Sequence, residues 1–83
     1  MKIVWDTTKR ETNLAKHGLD FADLTEEFFL GSTVVPAKAD RFMAIGEHEG
    51  EIVVAVVFRP LGSEAISVIS MRPASKKERE AHG

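Results

Sequence analysis

Ile52-Val53-Val54-Ala55-Val56-Val57-Phe58 is the longest uninterrupted apolar run in the chain. It has the length of a strand, and its valines suit a pleated surface buried on both sides. With its flanks it predicts a central strand over Glu51–Arg59. Upstream, His48-Glu49-Gly50 is a hairpin turn signal, and Arg41–Glu47 alternates loosely as a partner strand. Downstream, Pro60-Leu61-Gly62-Ser63 turns the chain again, and Glu64–Arg72 forms a last strand. Regular alternation would put Ile66, Val68 and Ser70 on one face and Ser67, Ile69 and Met71 on the other. Thr33–Pro36 reads as a short edge strand, because Pro36 has no N–H to donate to a ladder. Pro73 stops the last strand. Ser75 and Glu78 then have the spacing of a capping box, which starts a short C-terminal helix.

The N-terminal part is helical around one short strand, Lys2–Trp5. Thr8 and Glu11 have capping-box spacing, and Gly18 is a good helix stop, so a first helix is predicted over residues 8–17. Leu14 and Ala15 are its chief apolar anchors, and Trp5 would pack it onto the sheet. Asp20 reads as the next N-cap. Phe21, Leu24 and Phe28 recur at helical spacing and should face the core, with Asp23, Glu26 and Glu27 outward. Gly31 ends that helix. The predicted order is β-α-α-β-β-β-β-α, an α+β fold with an antiparallel β-sheet, two N-terminal helices packed on one face and a short C-terminal helix.

Eighty-three residues make a single domain, residues 1–83, and an apolar fraction of 43% is enough for one modest core. With no cysteine there is no disulfide, no thiolate metal site and no cysteine nucleophile. There is no signal-peptide run and no apolar stretch long enough for a membrane span, so a cytoplasmic protein with no membrane partner is expected. The net charge of -2 hides an uneven distribution. Residues 1–18 carry four Lys or Arg against two acids, and residues 71–83 carry the same balance. Residues 20–30 hold four acids and no base. A fold that brings the two ends together would gather cations on one surface, and such a surface attracts phosphates.

Several chemistries have no support in the residues. The histidines are His17, His48 and His82, and no pair has the i, i+4 spacing of a helical zinc site, so no metal and no cofactor are expected. Nothing resembles a nucleophile elbow or a phosphate-binding glycine loop. What remains is a cationic set that suits RNA cleavage. There the ribose 2′-hydroxyl attacks its own phosphate, and the protein orients it, moves protons and stabilises the growing charge. Arginine matches phosphate oxygens with its planar fork, and histidine transfers protons near neutral pH. Arg72, at the end of the last strand, is either a phosphate ligand or a rim arginine paired with Glu64 or Glu78. His17 is either a proton carrier or a helix C-cap histidine, and the two roles are compatible. Asn13, one turn earlier, would orient His17 by a side-chain hydrogen bond. Lys9 and Arg10 are RNA contacts or a solvated helix face, and Lys16 is an RNA contact or a partner of the helix dipole. Lys76, Lys77 and Arg79 form a basic cluster in the last helix that binds a phosphate backbone or keeps the tail soluble.

These residues also carry a family resemblance. Trp5-Asp6, Lys9, Asn13, Lys16-His17-Gly18 and Asp20-Phe21-Ala22-Asp23 in the head, Arg41 with Ile45-Gly46, and Ile66–Arg72, Ala74 and Glu78-Arg79 in the tail are similar to the BrnT family of toxins. The likeness spans nearly the whole chain. It implies a RelE-like microbial ribonuclease fold and metal-independent RNA cleavage that arrests translation. It also implies a BrnA-like antitoxin partner, contact with operator DNA only through that antitoxin, and a higher-order toxin–antitoxin complex. Carried over by position, the catalytic candidates are His17, Arg72, Lys9 and Arg41. The RNA-binding candidates are Arg10, Lys16, Lys76, Lys77 and Arg79. The competing readings are a toxin-like module that binds antitoxin or RNA without cleaving, and an interaction domain whose basic ends pair with its acidic middle.

Overall fold

A computed structural model describes residues 1–50 and 52–83, so the predicted strand start at Glu51 lies outside the described residues. The elements are β1 (Lys2–Trp5), α1 (Thr7–His17), a 3-10 turn (Phe21–Asp23), α2 (Glu26–Leu30), β2 (Thr33–Pro36), β3 (Phe42–His48), β4 (Ile52–Leu61), β5 (Ala65–Pro73) and α3 (Lys76–His82). The strands make one sheet in the order β1-β5-β4-β3-β2. The valine run of β4 is its central strand, and Val54, Ala55 and Val56 are fully buried because both faces are covered there.

The pairs β2–β3, β3–β4 and β4–β5 are antiparallel. β1 departs from the expected pattern and runs parallel to β5, from Lys2 opposite Ala65 to Trp5 opposite Val68. The wholly antiparallel sheet is therefore corrected to a mixed one. The cause is the route of the chain. After β1 it passes through the helices to the far edge at β2 and meanders back, so its last strand meets the first running in the same direction.

The single helix expected from Asp20 to Gly31 is split. The Asp20 side chain accepts the Ala22 N–H at 2.9 Å and caps only the 3-10 turn. Thr25, in extended backbone at φ -124 and ψ 164, caps α2 by accepting the Phe28 N–H at 3.2 Å. Two short polar side chains close to each other compete with helical backbone bonds, and each starts its own turn. The apolar spacing survives the break. Phe21, Leu24 and Phe28 all pack on Ala44, Val54, Val56, Phe58, Ile66, Val68 and Met71. Phe28 lies so close to β3 that a Cβ added at Gly46 would be 3.2 Å from its ring.

The face assignment in β5 also needs correction. Ser70 stands opposite Val57 and Val68 opposite Phe58, which leaves Ile69 as an extra residue in the ladder. A bulge of this kind shifts the alternation by one. Met71, rather than Ser70, therefore joins Ile66 and Val68 in the core, and all three are buried. The opposite face carries Ser70 and Arg72. Thr33, Ile45, Ala55 and Arg72 lie in register across it. α3 covers this end of the face, held by Thr33 Oγ1 to His82 Nδ1 at 3.0 Å and by Arg72 to Glu78.

Candidate active site

α1 starts one residue earlier than expected, because Asp6 and not Thr8 is its N-cap. The Asp6 Oδ1 accepts the N–H groups of Thr8 at 2.8 Å and Lys9 at 3.2 Å, and its charge favours the positive end of the helix dipole. The helix ends as expected at Gly18, whose φ of 70° is left-handed and whose N–H reaches Leu14 O.

The docking of α1 is unexpected. Leu14 and Ala15 are both exposed, and the helix's buried residue is Asn13, at 7% exposure. β1 covers the outer edge of β5 only as far as Val68. Beyond it the main chain of Met71 has no strand neighbour on that side, and Asn13 takes its place. The Asn13 amide donates to Met71 O at 2.8 Å, and its Oδ1 accepts the Met71 N–H at 3.0 Å. A third bond runs from Asn13 Nδ2 to Leu19 O at 3.1 Å. A carboxamide offers one donor side and one acceptor side, so it completes the edge as a strand residue would. Asn13 therefore does not orient His17. The available signal was an asparagine inside a helix, where its intrinsic preference is poor.

This docking makes a groove of about 310 Å³ between α1 and the bulged part of β5. Its lining is Thr8, Lys9, Thr12, Asn13, Lys16, His17, Ile69 and Ser70. Three of the predicted cations, Lys9, Lys16 and His17, are thus brought together, and no carboxylate among the described residues lines the groove. Ser70, read from sequence as a plain strand serine, brings a hydroxyl to the same wall because the bulge turns it away from the core.

The other candidates are placed differently. Arg10 is bound by Asp20, with Nε to Oδ1 at 2.6 Å and Nη2 to Oδ2 at 2.8 Å. Arg72 is two residues past Ser70 on the same face, about 7 Å along the strand. Of its two alternative acid partners the structure selects Glu78, in a bidentate pair at 2.7 and 2.8 Å, and its Nη2 also lies 3.8 Å from Met43 Sδ. Glu78 closes the expected capping box as well, accepting the Ser75 N–H at 2.8 Å. Arg41 is exposed two residues before Met43. Lys76 and Lys77 are exposed on α3, and Arg79 Nη1 donates to Ala74 O at 2.9 Å. None of Arg10, Arg41, Arg72, Lys76, Lys77 or Arg79 lines the groove.

The two ion pairs set a pH dependence. The Arg72 guanidinium, helped by the Ser75 N–H, lowers the Glu78 carboxyl from 4.5 to about 2. Arg10, helped by the Ala22 N–H, lowers Asp20 from 3.8 to about 2. Both groups hold protons less tightly folded than unfolded, so their stabilisation is complete above the unfolded values and is lost as pH falls toward 2. Urea unfolding at stepped pH is expected to show stability falling from about pH 4.5 downward. The fall should be shallower in the Asp20→Asn, Glu78→Gln double variant. An equal slope in both proteins would contradict the assignment.

Comparison with known proteins identifies the class. The chain matches the family model described as "ribonuclease toxin, BrnT, of type II toxin-antitoxin system" over residues 5–78. It is similar to the 1.1 Å crystal structure of the Brucella abortus ribonuclease toxin BrnT, with 68% identity and a TM-score of 0.87. The match covers 92% of this chain and 99% of that one. No curated protein matches it. Fold and match together define a ribonuclease toxin of the type II toxin–antitoxin class, which acts with an antitoxin partner. Within that class, the chain belongs to the BrnT family. No helix among the described residues is long and apolar enough to cross a membrane.

Proposed function

We propose that the chain cleaves RNA in the groove between α1 and β5, without a metal ion, and that a BrnA-like antitoxin neutralises it. The observation that carries this reading is the lining itself: two lysines, a histidine and three hydroxyl side chains, with no carboxylate among the described residues. A phosphate entering this groove meets positive charge on the α1 side and the Ser70 hydroxyl on the β5 side. A hard divalent cation meets no anionic ligand there. Lys9 and Lys16 hold the phosphate and offset its growing charge. His17 takes the proton of the attacking 2′-hydroxyl or returns one to the leaving 5′-oxygen. Arg72, a short step along β5, supplies the forked donor for the phosphorane once it exchanges Glu78 for phosphate. Arg41, Lys76, Lys77 and Arg79 contact the strand beyond the scissile bond. The antitoxin carries the operator-DNA contact, the pair assembles into a higher-order complex, and the site of action is the cytoplasm, where translation runs.

A second reading, RNA or antitoxin binding without cleavage, draws on the bidentate commitment of Arg72 to Glu78. The experiment that separates the two is cleavage of a defined RNA by the purified chain in excess chelator across a range of pH. Cleavage should persist in chelator. The pH–rate profile of His17→Ala should differ in shape from that of the wild type. Loss of wild-type activity in chelator while circular dichroism shows the chain still folded would refute metal independence, and an unchanged His17→Ala profile would leave His17 with its helix-end role alone.

A further inference from the structure

A second cluster lies just past the C-terminal end of α1, where the tip of the β3–β4 hairpin meets the 3-10 turn. Asp23, His48 and Glu49 each point one ligand atom into a common space, and these atoms all lie within 4.8 Å of one another. His48 had been expected in the turn. The structure makes it the last residue of β3, with 7% exposure, and leaves the left-handed backbone of the turn to Glu49 and Gly50. Among the described residues the His48 ring makes no hydrogen bond. Its Nε2 is 3.7 Å from Glu49 Oε1, which is beyond hydrogen-bond range. No fully buried side-chain nitrogen lacks a partner among the described residues, so the free ring nitrogen of this otherwise enclosed side chain reaches solvent and is open to a ligand.

We propose that Asp23, His48 and Glu49 bind one divalent transition-metal ion of the Zn²⁺ type and thereby tie the hairpin to the 3-10 turn. Bonds of about 2.0–2.2 Å in a tetrahedral shell put neighbouring ligand atoms about 3.4 Å apart, close to the 3.7 Å found between Nε2 and Oε1. One imidazole and two carboxylates select a borderline ion over Mg²⁺ or Ca²⁺, which prefer all-oxygen shells. Glu47 and Glu27 line the neighbouring cavity and add negative potential that draws cations in. The cavities over this cluster share no lining residue with the groove, so the ion belongs to the scaffold and not to the cleavage chemistry. Spacing rules along the sequence missed the set because its members come from two separate turns.

The test is calorimetric titration of the full chain with Zn²⁺, paired with thermal melts. One ion per chain and a raised melting temperature are expected. Asp23 and Glu49 are exposed, so Asp23→Asn and Glu49→Gln should fold normally. Each should weaken binding at least about tenfold, since even outer-shell changes cost 10- to 100-fold. His48→Gln should do the same, while His17→Ala and His82→Ala should bind as the wild type. Absence of Zn²⁺ binding would overturn the proposal. So would binding that survives Asp23→Asn and Glu49→Gln together, or binding that is lost in His17→Ala.

Discussion

Replacing Arg72 by alanine is expected to lower RNA cleavage on the order of 10²- to 10³-fold, the usual effect of removing one donor that stabilises transition-state charge. Growth arrest on expression in a host should disappear with it. The pair with Glu78 makes this substitution ambiguous alone, because Arg72→Ala also removes the bidentate bond that holds α3 on the sheet. Glu78→Gln supplies the control. It breaks the same ion pair and weakens the capping box but leaves the guanidinium in place. If Arg72 serves the phosphate, Glu78→Gln keeps most of the activity, because the guanidinium fork is then free for phosphate. If Arg72 serves only α3, both variants lose activity equally or neither does. Cleavage assays with the two proteins side by side, with circular dichroism to verify folding, decide between these outcomes.

The largest effect on stability is expected at Asn13. Asn13→Ala leaves the N–H and C=O of Met71 and the C=O of Leu19 without their present partners. Each unsatisfied buried group costs about 1–3 kcal/mol, and partial access to water reduces the total to roughly 2–4 kcal/mol. For a domain of this size that corresponds to a melting temperature lower by roughly 10–20 °C. Asn13→Asp is the sharper probe. The carboxylate still accepts from the Met71 N–H but has no proton for the two carbonyls, so it should be as destabilising as alanine at neutral pH. Acidification that protonates it should restore part of the loss. A melting temperature within a few degrees of wild type for Asn13→Ala would show that α1 is held by other contacts.

The parts of the fold that could be read from sequence are those set by local chemistry. The valine run gave the central strand, Gly18 the end of α1, Ser75 and Glu78 the start of α3. Phe21, Leu24 and Phe28 gave the buried face of the second helical region even though that region divides in two. The errors in the sheet came from interactions between distant residues. The parallel β1–β5 pair depends on where the chain goes between them, and no pattern inside either strand encodes it. The bulge at Ile69 is likewise invisible in an alternating apolar run, yet it decides that Met71 enters the core and Ser70 faces the groove. For the site, the basic character of α1 was legible, so Lys9, Lys16 and His17 could be named. Of the cations already spoken for, Arg72 had been given Glu78 as one of two alternative partners, whereas the Arg10–Asp20 pair, made in three dimensions, was not foreseen.

The placement of β1 beside β5 has a consequence for biosynthesis. Lys2 finds its partner only at Ala65, and Asn13 finds its partner only at Met71. A nascent chain can form α1 early, but it has no groove until the last strand has emerged from the ribosome. If the groove is the RNA site, termination of synthesis before β5 releases a product that lacks one of its walls.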